Sequence, residues 1–164
     1  MNKLKNKKGF SLVEILVVIS IFALIGILTT RSIFTTLRSA RKSDSLVKVR
    51  ENVNYALGVI ERQIRSAESV SPCPLVNTLV LPYIAEGGIV SSFICTLGAN
   101  GSIASGSATL TSPDISVTGC TFTCTQNINN PPSINVSITA EDKNSSGVEK
   151  GSVTSQTEIL LRNY

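Results

Sequence analysis

Histidine and tryptophan are absent from this 164-residue chain, methionine occurs once, and aromatic residues make up only 5% of it. Without histidine, the residue that most often serves as general base or metal ligand near neutral pH is missing. The acids fall mostly in segments that read as loops or on one amphipathic stretch. No nucleophile-and-base arrangement and no glycine-rich phosphate cradle can be assembled from them. An enzyme is therefore not expected, nor is a cofactor or a metal. Cysteine is scarce too, with four residues, Cys73, Cys95, Cys120 and Cys124. These are disulfide candidates. A four-thiolate zinc site is the alternative, weakened because only Cys120 and Cys124 are close in sequence.

Acidic residues are almost missing from the first 40 positions, where Glu14 stands alone inside an apolar run. Phe10 to Thr30 is 21 residues, roughly 31 Å of helix, enough to cross a bilayer once. Lys3, Lys5, Lys7 and Lys8 precede the run and Arg31 follows it. The lysine cluster should hold the N-terminus in the cytoplasm and send the remainder outward. An ordinary secretory signal would carry a small-x-small cleavage site after a shorter apolar region, and Leu28-Thr29-Thr30-Arg31-Ser32 is a poor one. The four candidate cysteines then lie on the side where disulfides persist.

Overall charge is 15 basic against 11 acidic residues, but removing the four lysines of residues 1 to 8 leaves 11 against 11. The excess is thus a topology signal and says nothing about nucleic acid. Residues 31 to 68 hold eight basic and four acidic side chains, and residues 69 to 164 three and six. A basic stalk carries an acidic body.

A carboxylate at bilayer depth costs several kcal/mol, so Glu14 marks a function and needs a partner. Lys7-Lys8-Gly9-Phe10-Ser11-Leu12-Val13-Glu14 resembles the class III signal of type IV prepilins and type II secretion pseudopilins. The resemblance implies cleavage between Gly9 and Phe10 by a prepilin peptidase, with N-methylation of the new N-terminal Phe10. It also implies an assembly role for Glu14, whose carboxylate would neutralise the Phe10 amine of a neighbouring subunit where filament helices pack together. Taken without the resemblance, Glu14 would do no more than favour a helix N-terminus through the macrodipole, worth at most about 1 kcal/mol.

Past the apolar run, Ile33, Leu37, Ala40, Val49, Val53, Ala56, Leu57, Ile60, Ile64 and Ala67 recur at helical spacing. Asp44 with Lys48, and Glu61 with Arg65, set an acid four residues before a base. A coiled coil is the alternative, but Arg41-Lys42-Ser43-Asp44 interrupts the stripe. Ser71-Pro72-Cys73-Pro74 should end a helix of about 60 residues. Strands are expected over Val76–Leu81, Ile89–Cys95, Ile115–Cys124, Ser133–Ala140 and Val153–Arg162, with a bulge near Gly119 where the apolar phase shifts. Gly98–Ser107, Asn127–Pro132 and Asp142–Ser152 read as loops. A hairpin turning around Pro82–Glu86 would bring Cys73 opposite Cys95, leaving Cys120 and Cys124 to pair only if the bulge folds the strand back. The competing connectivity joins each of them to Cys73 or Cys95. Asn135-Val136-Ser137 and Asn144-Ser145-Ser146 fit the glycosylation sequon, a short pattern that chance also produces.

The expected fold class is α+β: a long N-terminal helix packed on a small antiparallel sheet, which resembles the type IV pilin architecture. Its divisions would be 1-9 leader, 10-30 transmembrane and assembly helix, 31-70 amphipathic continuation, and 71-164 extracytoplasmic β domain. Residues 61 to 67 and Leu160-Leu161-Arg162-Asn163 resemble J-type pseudopilins and similar minor pilins. Many major pilins have a Pro soon after the apolar run, where this chain has only Gly26 and Thr29-Thr30. The resemblance implies a minor pilin or pseudopilin in the inner membrane. Its partners would be other pilin or pseudopilin subunits, the peptidase and an inner-membrane assembly platform. The alternative is a membrane-anchored binding domain that never assembles; Glu14 separates the two, since a simple anchor has no use for it.

Overall fold

The computed structural model describes residues 9–127 and 130–161; residues 1–8, 128–129 and 162–164 lie outside the described residues. The four leader lysines, Arg162 and Asn163 are among the latter. Two compact units divide at Ala40 and Arg41.

One helix, α1, runs from Leu12 to Arg65. It stops five residues short of the expected end. Ala67 N bonds the Ile64 carbonyl at 3.1 Å, and Ser69–Val70 (β1) already pair as strand with Ile84 and Tyr83. A sheet partner takes the backbone before Pro72 can break the helix. Within the first unit the apolar side chains of α1, from Leu12 to Leu37, are exposed.

In the second unit, Val49, Val53, Ala56, Ile60 and Ile64 are fully buried, spaced by three and four residues along one face of α1. They meet two antiparallel sheets where one was expected. The first has the order β1-β3-β4-β5-β6 and contains β3 (Val80–Ala85), β4 (Ile89–Thr96), β5 (Ser102–Ser105) and β6 (Ala108–Thr109). The second has the order β2-β7-β8-β9 and contains β2 (Leu75–Thr78), β7 (Ile115–Asn127), β8 (Asn130–Asp142) and β9 (Ser152–Leu160). Leu81, Phe93, Ile103, Phe122, Ile134, Val136, Ile138 and Ile159 close the core, none of them accessible to solvent. Each such side chain contributes about 1.5–3 kcal/mol by leaving water.

The phase shift in the third expected strand is a bulge. The β7–β8 register slips between Val117 and Gly119, which lets Val117 and Cys120 both face inward. The β3–β4 turn is not at Pro82, which pairs with Ser92 inside the hairpin; it lies at Gly87 and Gly88, whose φ of 86° and 76° glycine tolerates best. Gly98–Ser107 is also not simply a loop, because Ser102–Ser105 form β5 and bury Ile103.

With the hairpin turn moved, the expected Cys73–Cys95 pair is lost. The disulfides are Cys73–Cys124, with Cα atoms 5.6 Å apart, and Cys95–Cys120, at 6.2 Å. β2 lies beside β7 with Leu75 opposite Cys124, which carries Cys73 to that cysteine. The second disulfide ties β4 of one sheet to β7 of the other.

Candidate functional site

Glu14 sits in the first turn of α1, and Gly9, Phe10 and Ser11 precede the helix. The helix begins with Ile15 N bonding the Ser11 carbonyl at 3.2 Å. Ser11 therefore occupies the cap position and Glu14 the third helical position, the Ser-x-x-Glu spacing of a capping box. A carboxylate in the first turn is favoured by the positive end of the macrodipole. Phe10 is 76% exposed, and the Gly9–Phe10 peptide bond lies in non-helical backbone.

Five of the six hydroxyls between Leu12 and Leu37 are bonded locally. Ser20 donates to the Leu16 carbonyl at 2.8 Å, Thr30 to Gly26 at 2.8 Å, Thr35 to Arg31 at 3.0 Å and Thr36 to Ser32 at 2.9 Å. Thr29 donates to Ile25 at 2.9 Å. Hydroxyls bonded back to the helix in this way can lie in hydrocarbon without a partner from outside. α1 holds a stretch long and apolar enough to cross a membrane. Glu14 is the one acid in that stretch, and it is the residue that such a surface does not need.

A second polar cluster fastens α1 inside the second unit. Ser45 is buried, and its Oγ accepts the Gly151 N–H at 2.9 Å. A Cβ on Gly151 would lie 2.7 Å from Ser45 Oγ and 2.8 Å from Leu46 N, so only glycine allows this approach. Lys48 Nζ lies 3.0 Å from Asp114 Oδ2, whereas Asp44, the partner expected from helical spacing, acts on Lys48 only at longer range. That contact raises the Lys48 pKa and, with a hydrogen bond from Asn144, lowers that of Asp114. For Asp142, 4% exposed, burial opposes ionisation but is outweighed. Hydrogen bonds from Asn144 N–H, Ser145 and Ser45 and the charge of Lys48 hold its carboxyl below the usual range. Neither the Lys48–Asp114 contact nor the Ser45–Gly151 contact was expected; the glycine in a polar loop was their only trace in the sequence.

The remaining candidates are structural. All four cysteines are oxidised, leaving no thiolate for the zinc alternative. In the Glu61–Ala67 segment, Ile64 and Ala67 are core and Arg65 Nη2 pairs with Glu61 at 2.6 Å. Any helix end packed on a sheet makes such contacts.

Residues 4–30 match the model of the prokaryotic N-terminal methylation motif. The chain thus carries a class III signal and is type IV pilin-like, with an α+β fold that suits that architecture. No curated protein and no solved structure matches it.

Proposed function

We propose that this chain is a minor pilin or pseudopilin, a structural or initiation subunit of a type IV pilus or of a secretion-like or DNA-uptake filament. The observation that carries the reading is a lone carboxylate in the first turn of an exposed apolar helix, four residues after Phe10 within the methylation motif. Prepilin peptidase cuts between Gly9 and Phe10 and methylates the Phe10 amine. The lysine-rich leader keeps the N-terminus cytoplasmic, the 10-30 segment anchors the chain in the inner membrane, and residues beyond it lie outside. An assembly platform then draws the subunit into a filament. There the Glu14 carboxylate pairs with the Phe10 amine of a neighbour and sets its register. Breaking one side of such a buried pair strands a charge at a cost of about 3–5 kcal/mol, so the pair selects alignment more than it adds stability.

The minor role rests on the likeness of residues 61 to 67 and 160 to 163 to J-type pseudopilins and minor pilins, and on the missing Pro after the apolar run. Quantitative proteomics of filaments from the native host tests it. A small fraction relative to another pilin is expected; this chain as the most abundant subunit would overturn the minor role and keep the pilin class. Its absence from filaments, with the anchored form in membranes, would favour a non-assembling binding domain.

A further inference from the structure

The second sheet has two unlike edges. β2 has four residues, follows Pro74, and has an irregular register against β7. β9 has nine residues, Ser152–Leu160, and pairs with β8 without a register shift from Glu141↔Ser152 to Ser133↔Leu160. Natural sheets blunt an exposed edge with lysine, proline, a bulge or shortness. β2 and the two-residue outer strands of the first sheet, β1 and β6, are guarded in these ways. β9 has no lysine, no proline and no bulge, and its one charge is Glu158.

The direction of its backbone groups follows from two hydrogen bonds. Asp142 N donates to the Gly151 carbonyl at 3.2 Å, and Leu161 N donates to the Pro132 carbonyl at 3.2 Å. Alternation then turns the odd-numbered residues of β9 toward β8. Ser152, Thr154, Gln156, Glu158 and Leu160 present their N–H and C=O groups at the free edge, in a row that repeats every second residue. Only an extended polypeptide backbone matches such a row.

We infer that β9 is a strand-addition site, occupied in the assembled state by an extended segment of a different filament subunit. This inference rests on the filament reading above. A copy of this chain does not serve: among its described residues no other edge is longer than four residues, and β9 against β9 makes a closed two-fold pair that cannot continue along a filament. The added strand alternates. Residues on its inner side cover Val153, which is half-buried against the core. A basic residue on its outer side faces Glu158.

Gln156→Pro removes one outward donor and leaves the β8–β9 ladder intact, since an edge strand tolerates proline where its N–H points away from the sheet. Thr154→Lys installs the usual guard. Each is made in the full chain in the native host, with disulfide formation and membrane amount as folding controls. The filament-associated fraction should fall about tenfold for Gln156→Pro, as expected when a partner carbonyl loses its donor. A photo-crosslinking residue at position 156 should capture a second chain that carries a methylation-type N-terminus, through an extended alternating segment. If wild type enters filaments and both variants enter equally well, or the crosslink joins two copies of this chain, strand addition at β9 is overturned while the filament reading stands. A wild type absent from filaments overturns both.

Discussion

The two parts of α1 differ in what their apolar residues touch. From Leu12 to Leu37 the large apolar side chains are exposed on every face, Leu12 by 79% and Phe22 by 71%. From Val49 to Ile64 the apolar stripe is buried and the opposite face is charged, with Arg50, Glu51 and Arg62 exposed. Ile33 and Leu37 fit the stripe by spacing yet stay 60% and 51% exposed. Periodicity therefore identifies a face able to pack, and charge content decides the solvent. A helix apolar all round suits lipid or other helices, whereas one with a single apolar face suits a sheet. The methylation motif covers only the first kind of helix.

The sharpest way to break this contrast is a pair of matched truncations. Phe122→Ala should cost the second unit about 3–5 kcal/mol, since its side chain is fully buried. Phe22→Ala should leave the unfolding free energy of that unit unchanged. Chemical denaturation of both variants in detergent would measure this, and a large loss of domain stability from Phe22→Ala would contradict the division.

Next come the disulfides. The loop closed by Cys73–Cys124 spans 51 residues and that closed by Cys95–Cys120 spans 25. Chain entropy assigns about 4 and about 3.5 kcal/mol to the two. Replacing the Cys73–Cys124 pair by serine should destabilise the second unit strongly and slightly more than replacing the other pair, with membrane insertion unaffected. Peptide mapping without reductant should recover Cys73 linked to Cys124.

These pairings show where sequence reading reached its limit. The helix, its buried stripe and the bulge near Gly119 were legible because they depend on local spacing. So was Glu14, since a carboxylate in an apolar run is conspicuous without any structure. Pairing of cysteines depends on which strands become neighbours, and β2 joins β7 across some 40 intervening residues. No periodicity encodes that. β5 was hidden because Ile103 is the lone large apolar residue among Gly, Ser, Ala and Asn. β9 was legible as a strand, but not as an edge.

A smaller effect is expected from pH. The folded pKa of Asp142 lies below its usual carboxyl value; its contribution to stability is present above that unfolded value and is lost as pH falls through the folded one. Lys48 is raised above 10.5, so its contribution holds below that value and fades as pH rises past the folded one. Stability of the second unit should fall at both extremes, and Asp142→Asn should lessen the acid limb, which Asp114 shares, more than the alkaline one. An acid limb unchanged in Asp142→Asn would remove this carboxylate from the account.

Glu14 tests the central claim most directly. Wild type and Glu14→Ala would be expressed in the native host, and membranes and sheared filaments compared by immunoblot. Removing the charge eases insertion and leaves a neighbour's amine unpaired. The mutant should therefore match wild type in membranes and be strongly depleted from filaments. Equal incorporation of the two would reduce Glu14 to a helix-terminal charge and contradict the assembly role.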